Sequence, residues 1–183
     1  MAILSRAARK SIGQLGLVAL VCVTFGDRIA GQMDEYQVKA VFLLNFAKFV
    51  EWPATSFPKP GDPIVICILG QNPFGDHLSA AILRKAWGGR AFAIQLIADL
   101  SPKSRCQILF VNSSERQHFR ALTGSRSGVL TVGDTPGFID DGGIINFKVE
   151  GGKIRFEINV DGAEQAQLTV SSKLLSLAQI IKK

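Results

Sequence analysis

Few side chains in this chain have the type and spacing for covalent or metal chemistry. His77 and His118 stand far apart, and neither has a second ligand four residues on, the step that sets two imidazoles on one helix face. The turn Gly70-Gln71-Asn72-Pro73-Phe74-Gly75 follows an apolar run, where a dinucleotide-binding fold places its phosphate loop. It lacks the G-x-G-x-x-G spacing, and Pro73 removes an amide that would face a phosphate. Asp76-His77 stand where a P-loop requires Lys and Ser or Thr. Gly124-Ser125-Arg126-Ser127-Gly128 has the outline of a nucleophile elbow, but Arg126 holds the nucleophile's place and the segment leads into a strand. Asp134, Asp140 and Asp141 read as turn formers, not as an acid/base pair. The residues thus argue against an enzyme, and no metal or cofactor is expected.

Two clusters remain. The carboxyl ends of parallel strands would gather Gly70, Asn72, Asn112, Ser113 and Asp134 along one sheet edge, the crevice that ligands of open α/β folds favour. The same residues also suit helix caps and turns, so the sequence leaves both roles open. The second cluster is apolar. Phe138 and Ile139 tip the loop 134–141, and Leu168 lies in the link 163–170. Exposed, these three would form the centre of a partner surface; otherwise they pack on the core.

The elements that must position these residues follow from periodicity. Residues 34–53 carry Val38, Val41, Phe42, Asn45, Phe46, Phe49 and Trp52 at helical steps, with Ala40, Leu43, Leu44, Ala47 and Val50 widening the stripe. Lys39, Lys48 and Glu51 form the expected polar edge. Asp34 with Gln37 reads as a capping box, and Pro53 as the stop. Ile64 to Leu69 is a continuous apolar strand, followed by a helix with Phe74, Leu78, Ala81 and Ile82 inward, ended by Gly88-Gly89, and a strand at 91–97. A strand at 107–111, a helix to Leu122 capped by Ser114 with Gln117, and a strand at 129–132 come next. Glu150-Gly151-Gly152-Lys153 joins 144–149 to 154–158 as a hairpin. A last helix begins at Ser171 and turns Leu174, Leu175, Leu177, Ala178 and Ile181 inward. The order predicts an α/β three-layer sandwich, its sheet largely parallel with an antiparallel hairpin at one edge.

The chain has 183 residues and a formal net charge of +6. Arg6, Arg9 and Lys10, an apolar run from Leu15 to Phe25, and Ala30-Gly31 follow the order of a secretory signal peptide. Residues 1–31 are therefore expected to be removed, leaving one domain over 32–183. The run is too short for a bilayer span, and Val21 before Cys22 disfavours a lipoprotein. The leader carries half of the excess charge, and the mild remainder gives no argument for nucleic acid. An exported chain that keeps only Cys67 and Cys106 is a candidate for one disulfide, the alternative being two buried thiols.

Six segments in order, E-Y-Q-V-K-A-V-F-L-L-N-F-A-K-F-V-E-W-P (35–53), I-C-I-L-G-Q-N-P-F-G (66–75), C-Q-I-L-F-V-N-S-S-E (106–115), L-T-V-G-D-T-P-G-F (130–138), R-F-E-I-N (155–159) and S-S-K-L-L-S-L-A (171–178), resemble the YfiR family. That resemblance implies a non-enzymatic regulator in the periplasm of a Gram-negative cell. It implies a partner, the periplasmic region of an inner-membrane diguanylate cyclase of the YfiN type, whose cyclic-di-GMP synthesis is repressed. It further implies an outer-membrane lipoprotein antagonist of the YfiB type, and a homodimer. The family is wider, so another receptor such as a histidine kinase is an alternative, as is a periplasmic small-molecule-binding protein. Cysteines occur in the family at the places of Cys67 and Cys106, which favours the bridge. A second family pair near the hairpin has no counterpart here.

Overall fold

A computed structural model describes residues 35–99, 104–121 and 127–182. The leader, Cys22, Asp34, Leu122 and residues 124–126 of the elbow-like turn lie outside them. Tyr36–Lys183 form one unit, which contains every element described below residue 35 onward except the first residue of the first helix.

Helix α1, described over 35–49, leads into a two-residue strand β1 (Val50–Glu51). The chain then forms β2 (Ile64–Leu69), α2 (His77–Ile82), β3 (Ala86–Trp87), β4 (Arg90–Ile97), β5 (Ile108–Val111), α3 (Arg116–Ala121) and β6 (Leu130–Gly133). It ends with β7 (Ile145–Glu150), β8 (Lys153–Asn159), α4 (Val160–Gln165), β9 (Thr169–Val170), α5 (Ser172–Leu175) and β10 (Gln179–Ile181). Eight strands share one sheet in the order β10-β8-β7-β6-β5-β2-β4-β3, and β1 pairs with β9 in a separate ribbon. Strands β4, β2, β5, β6 and β7 run parallel, as the βαβ reading requires, and β7–β8 is the expected hairpin with Glu150 opposite Lys153. The sheet is largely parallel, with the hairpin on one flank.

Alternation along the central strands builds two cores. Ile64, Ile66 and Ile68 of β2 and Ile108 and Phe110 of β5 face α1, and in the same layer Phe46 stacks on Phe147 and meets Phe156 edge-on. Cys67, Leu69, Leu109 and Val111 face the other way, against Phe119 of α3 and Phe138. These are the three layers.

Several local expectations need correction. Helix α1 ends four residues before Pro53, because Val50 and Glu51 turn extended to pair with Val170 and Thr169. Its inner face is Ala40, Leu43, Leu44, Phe46 and Ala47, whereas Val38 and Val41 are exposed and Lys39 is buried. Helix α2 ends at Ile82, not at Gly88-Gly89. Those glycines have φ of 58° and 77° and make the two-residue turn of a β3–β4 hairpin, a conformation that glycine reaches without steric cost. The last helix stops at Leu175, and Gln179–Ile181 forms β10, which takes the open edge of β8 in parallel pairing. The capped element is the 3-10 turn Ser113–Glu115 that runs into α3, and its cap is Asn112, whose Oδ1 accepts from the Ser114 amide at 3.0 Å.

Candidate functional site

The carboxyl edge of the parallel strands lies where the crevice was expected. Gly70 follows β2, Asn112 and Ser113 follow β5, and Asp134 follows β6, with Leu69 beside Val111 and Val111 beside Gly133 in register. The polar groups there are engaged in the chain's own turns. Asn72 Oδ1 accepts from the Phe74 amide at 2.9 Å and its Nδ2 donates to the Gly75 carbonyl at 3.2 Å. Asn112 Nδ2 donates to the Gln71 carbonyl at 2.9 Å, tying the β2 and β5 turns together. Gly70 has φ of 85°, and a Cβ there would stand 2.5 Å from Cγ of Glu115. The edge is closely built, and Asn72 and Asn112 act as turn formers in it.

Asp134 has a separate role that the sequence pattern concealed. Lys39 Nζ donates to Asp134 Oδ2 at 2.7 Å, and the Tyr36 hydroxyl donates to the same oxygen at 2.9 Å. The Lys39 ammonium also lies 4.4 Å from the centre of the Tyr36 ring. The two charged side chains are only 4% and 7% exposed. Taking such charges out of water costs several kcal/mol per ion unless geometry and further hydrogen bonds offset it. Here the second donor is Tyr36, one helical turn before Lys39 on the same face. The pair fastens the start of α1 to the end of β6. Expecting Lys39 on a polar edge was wrong because a lysine was placed by type. Its position between Val38 and Ala40, in a segment apolar on most sides, was the available signal.

The residues expected to form an exposed partner surface are buried. Phe138 is 1%, Ile139 4% and Leu168 3% exposed. The Phe138 ring stacks on Phe119 with centroids 4.8 Å apart, and it fills space kept clear by Gly133, where a Cβ would stand 2.7 Å from the ring. Arg116 holds the same loop through an ion pair to Asp141, whose side chain is 6% exposed. Leu168 belongs to the α1-side core. The loop and link pack inward because large apolar side chains gain by leaving water, Phe138 in the α3-side core and Leu168 in the α1-side core. Phe138, Ile139 and Leu168 are therefore core residues and not partner anchors.

Cys67 and Cys106 are joined, with Cα atoms 5.6 Å apart. The bridge staples mid-β2 to the residue entering β5 inside the α3-side core. Beside it stands Gln107, a buried amide that no sequence pattern singles out. Its Oε1 accepts from the Val65 amide at 2.8 Å, its Nε2 donates to the Ser56 carbonyl at 2.8 Å, and its own carbonyl accepts from the Trp52 indole at 3.1 Å. Gln107 thereby links the segment after α1 to two central strands. His118 lies 3.3 Å from both Asp99 and Glu115, and the described residues contain no group of three His, Cys, Asp or Glu side chains arranged to hold a metal ion. No described helix is long and apolar enough to cross a membrane.

Among solved structures, the chain resembles the crystal structure of a conserved domain protein from Vibrio cholerae O1 biovar El Tor str. N16961. The TM-score is 0.50 at 10% identity, over 79% of this chain and 60% of that one, so the chain spans less than two thirds of its neighbour and the likeness speaks for the fold alone. No curated protein matches. The YfiR/HmsC-like family matches residues 36–179, from Tyr36, the hydroxyl donor to Asp134, to Gln179 of β10. By that match, which covers the whole sheet from β2 to β8 and both cysteines of the bridge, this chain belongs to the YfiR/HmsC-like family.

Proposed function

We propose that this protein is an exported regulator that binds the periplasmic region of an inner-membrane diguanylate cyclase and lowers its cyclic-di-GMP output. The observation that carries this reading is the family match over residues 36–179, since the family is one of periplasmic, non-catalytic regulators. The geometry of the sheet edge supports action by contact. The crevice groups Asn72, Asn112 and Asp134, which a small ligand would need, are engaged by the chain's own backbone and by Lys39 and Tyr36. The basic, apolar, small-residue order of 1–31 supports export and cleavage. The disulfide supports an oxidising compartment. An outer-membrane lipoprotein that takes up the regulator would relieve repression.

The test is a pull-down from detergent-solubilised membranes with the periplasmic form as bait, read by mass spectrometry of bait and prey. A membrane-anchored GGDEF protein in the eluate, together with raised cyclic-di-GMP on deleting the gene, is the expected result. Recovery of a histidine kinase instead, with cyclic-di-GMP unchanged on deletion in a strain lacking the antagonist, would overturn cyclase repression.

A further inference from the structure

One turn of the fold combines exposed apolar side chains with cations that have no acidic partner. Residues 83–89, Leu-Arg-Lys-Ala-Trp-Gly-Gly, are exposed without a break, with Leu83 68% and Trp87 45% accessible. A single exposed leucine is ordinary, but here Leu83 and Trp87 flank Arg84 and Lys85 on one protruding turn. The turn is firmly rooted. Gly88-Gly89 closes the β3–β4 hairpin and sets Trp87 opposite Arg90. The Arg90 guanidinium donates to the Asp62 carbonyl at 2.8 Å and lies 4.0 Å from the centre of the Phe57 ring. It thereby ties the hairpin to the loop that carries exposed Lys59. From His77 to Ala98 the chain has no Asp or Glu. The one acid of the adjoining loop 57–63, Asp62, accepts the Lys59 amide at 2.9 Å. Among the described residues, no carboxylate forms an ion pair with Lys59, Arg84 or Lys85.

We propose that this tip docks the protein on an anionic phospholipid surface, with Leu83 and Trp87 entering the headgroup layer and Lys59, Arg84 and Lys85 meeting lipid phosphates. Charge complementarity carries the choice of partner, since the tip is basic throughout and its cations are unspent. The apolar residues narrow it further. A free phosphate would engage the cations but leave Leu83 and Trp87 in water, whereas the tryptophan ring, apolar in body with one N–H donor, belongs at the depth of lipid headgroups. The shape points the same way. Protein anchors of the Trp and Arg type sit at the packed centre of a broad interface. Trp87 instead stands at a hairpin end beside two glycines, which offer a protein partner no side chains to pack against. A narrow convex tip of this kind can enter a fluid headgroup layer without a matching cavity. On the function proposed above, docking confines the search for a membrane receptor to the membrane plane.

Cosedimentation of purified residues 32–183, which hold the compact unit from Tyr36 onward, with lipid vesicles tests this without any receptor present. Vesicles with about 30% phosphatidylglycerol should bind the protein at ~0.1 M salt, pure phosphatidylcholine should not, and ~0.5 M salt should release it. Arg84→Asn with Lys85→Gln should weaken binding about thirtyfold, roughly fivefold per lost charge. Asparagine is chosen because Arg84 has φ of 56°, a conformation it tolerates. Trp87→Ala should weaken binding at least about tenfold. Lys153→Gln with Arg155→Gln removes the same charge from the far hairpin and should cost less than about threefold. All these side chains are exposed, so the melting profiles should match the parent. Lipids with brominated acyl chains should quench part of the parent's emission but not that of Trp87→Ala, which keeps only Trp52. No binding to the anionic vesicles would overturn the proposal, as would equal losses in the two charge variants. A photo-crosslinker at position 87 that captures a membrane protein, while vesicles of lipid alone leave the protein in solution, would overturn it in favour of a protein contact.

Discussion

Replacing Lys39 by methionine keeps most of the side-chain stem and removes the ammonium that lies 2.7 Å from Asp134. The Asp134 carboxylate, 7% exposed, then loses its charged donor and keeps the Tyr36 hydroxyl. Removing one partner of a buried ion pair strands the other charge away from water, and such changes cost about 3–5 kcal/mol. Tyr36→Phe removes a hydrogen bond to a charged acceptor and should cost less, on the order of 1.5–3 kcal/mol. For a domain of this size each kcal/mol lowers Tm by roughly 2–4 °C, so Lys39→Met should melt about 6–20 °C below the parent. The decisive comparison is Lys39→Met with Asp134→Leu in one chain. If the penalty comes from a stranded carboxylate, the double variant should recover most of the loss, since apolar replacement of a whole buried pair is often neutral or stabilising. Urea unfolding of the parent, both single variants and the double variant measures this coupling. A Lys39→Met cost below ~1 kcal/mol, in the range of an exposed pair, would refute the reasoning. A double variant no more stable than Lys39→Met would refute it too.

Two further substitutions probe the other core. Cys67→Ser opens a loop with a sequence separation of 39, for which the chain-entropy estimate is about 4 kcal/mol; melting with and without reductant should show the loss in oxidised protein and little further change under reduction. Phe138→Ala removes a ring stacked on Phe119 and should cost about 3–5 kcal/mol by urea titration. A cost below ~1 kcal/mol would return Phe138 to the surface.

Where the sequence pattern was legible, the physics admitted few alternatives. Ile64 to Leu69 is rich in β-branched residues and apolar at every position, which suits a strand buried on both faces, and its residues do divide between the two cores. Glu150-Gly151-Gly152-Lys153 supplies two positive φ values, 56° and 71°, where the hairpin needs them. The crevice residues fell on one edge because parallel strand order dictates it. Whether their polar atoms faced a ligand or the backbone was a question of side-chain direction, which strand order does not decide.

The failures share a cause: a local pattern was compatible with two tertiary outcomes. Residues 38–50 are apolar around most of the helix, so periodicity names no unique inner face, and both Val38-Val41 and Ala40-Leu43-Leu44 fit a stripe. The packed layer decides instead, because Phe46 stacks on Phe147 at 5.6 Å and fixes the rotation of α1. Once that rotation is set, Lys39 must point inward, toward the end of β6, and an acid is needed there. Asp134 meets that need at the first position after the strand. The tail shows the same logic with the opposite sign. Leu177, Ala178 and Ile181 suit a helix, yet Leu177 is exposed and Ile181 aligns with Asn159. The open backbone of β8 offers residues 179–181 strand pairing, which a longer helix would forgo. In both cases the sheet, assembled from strands that were readable one by one, chose among helix faces and chain ends that were not.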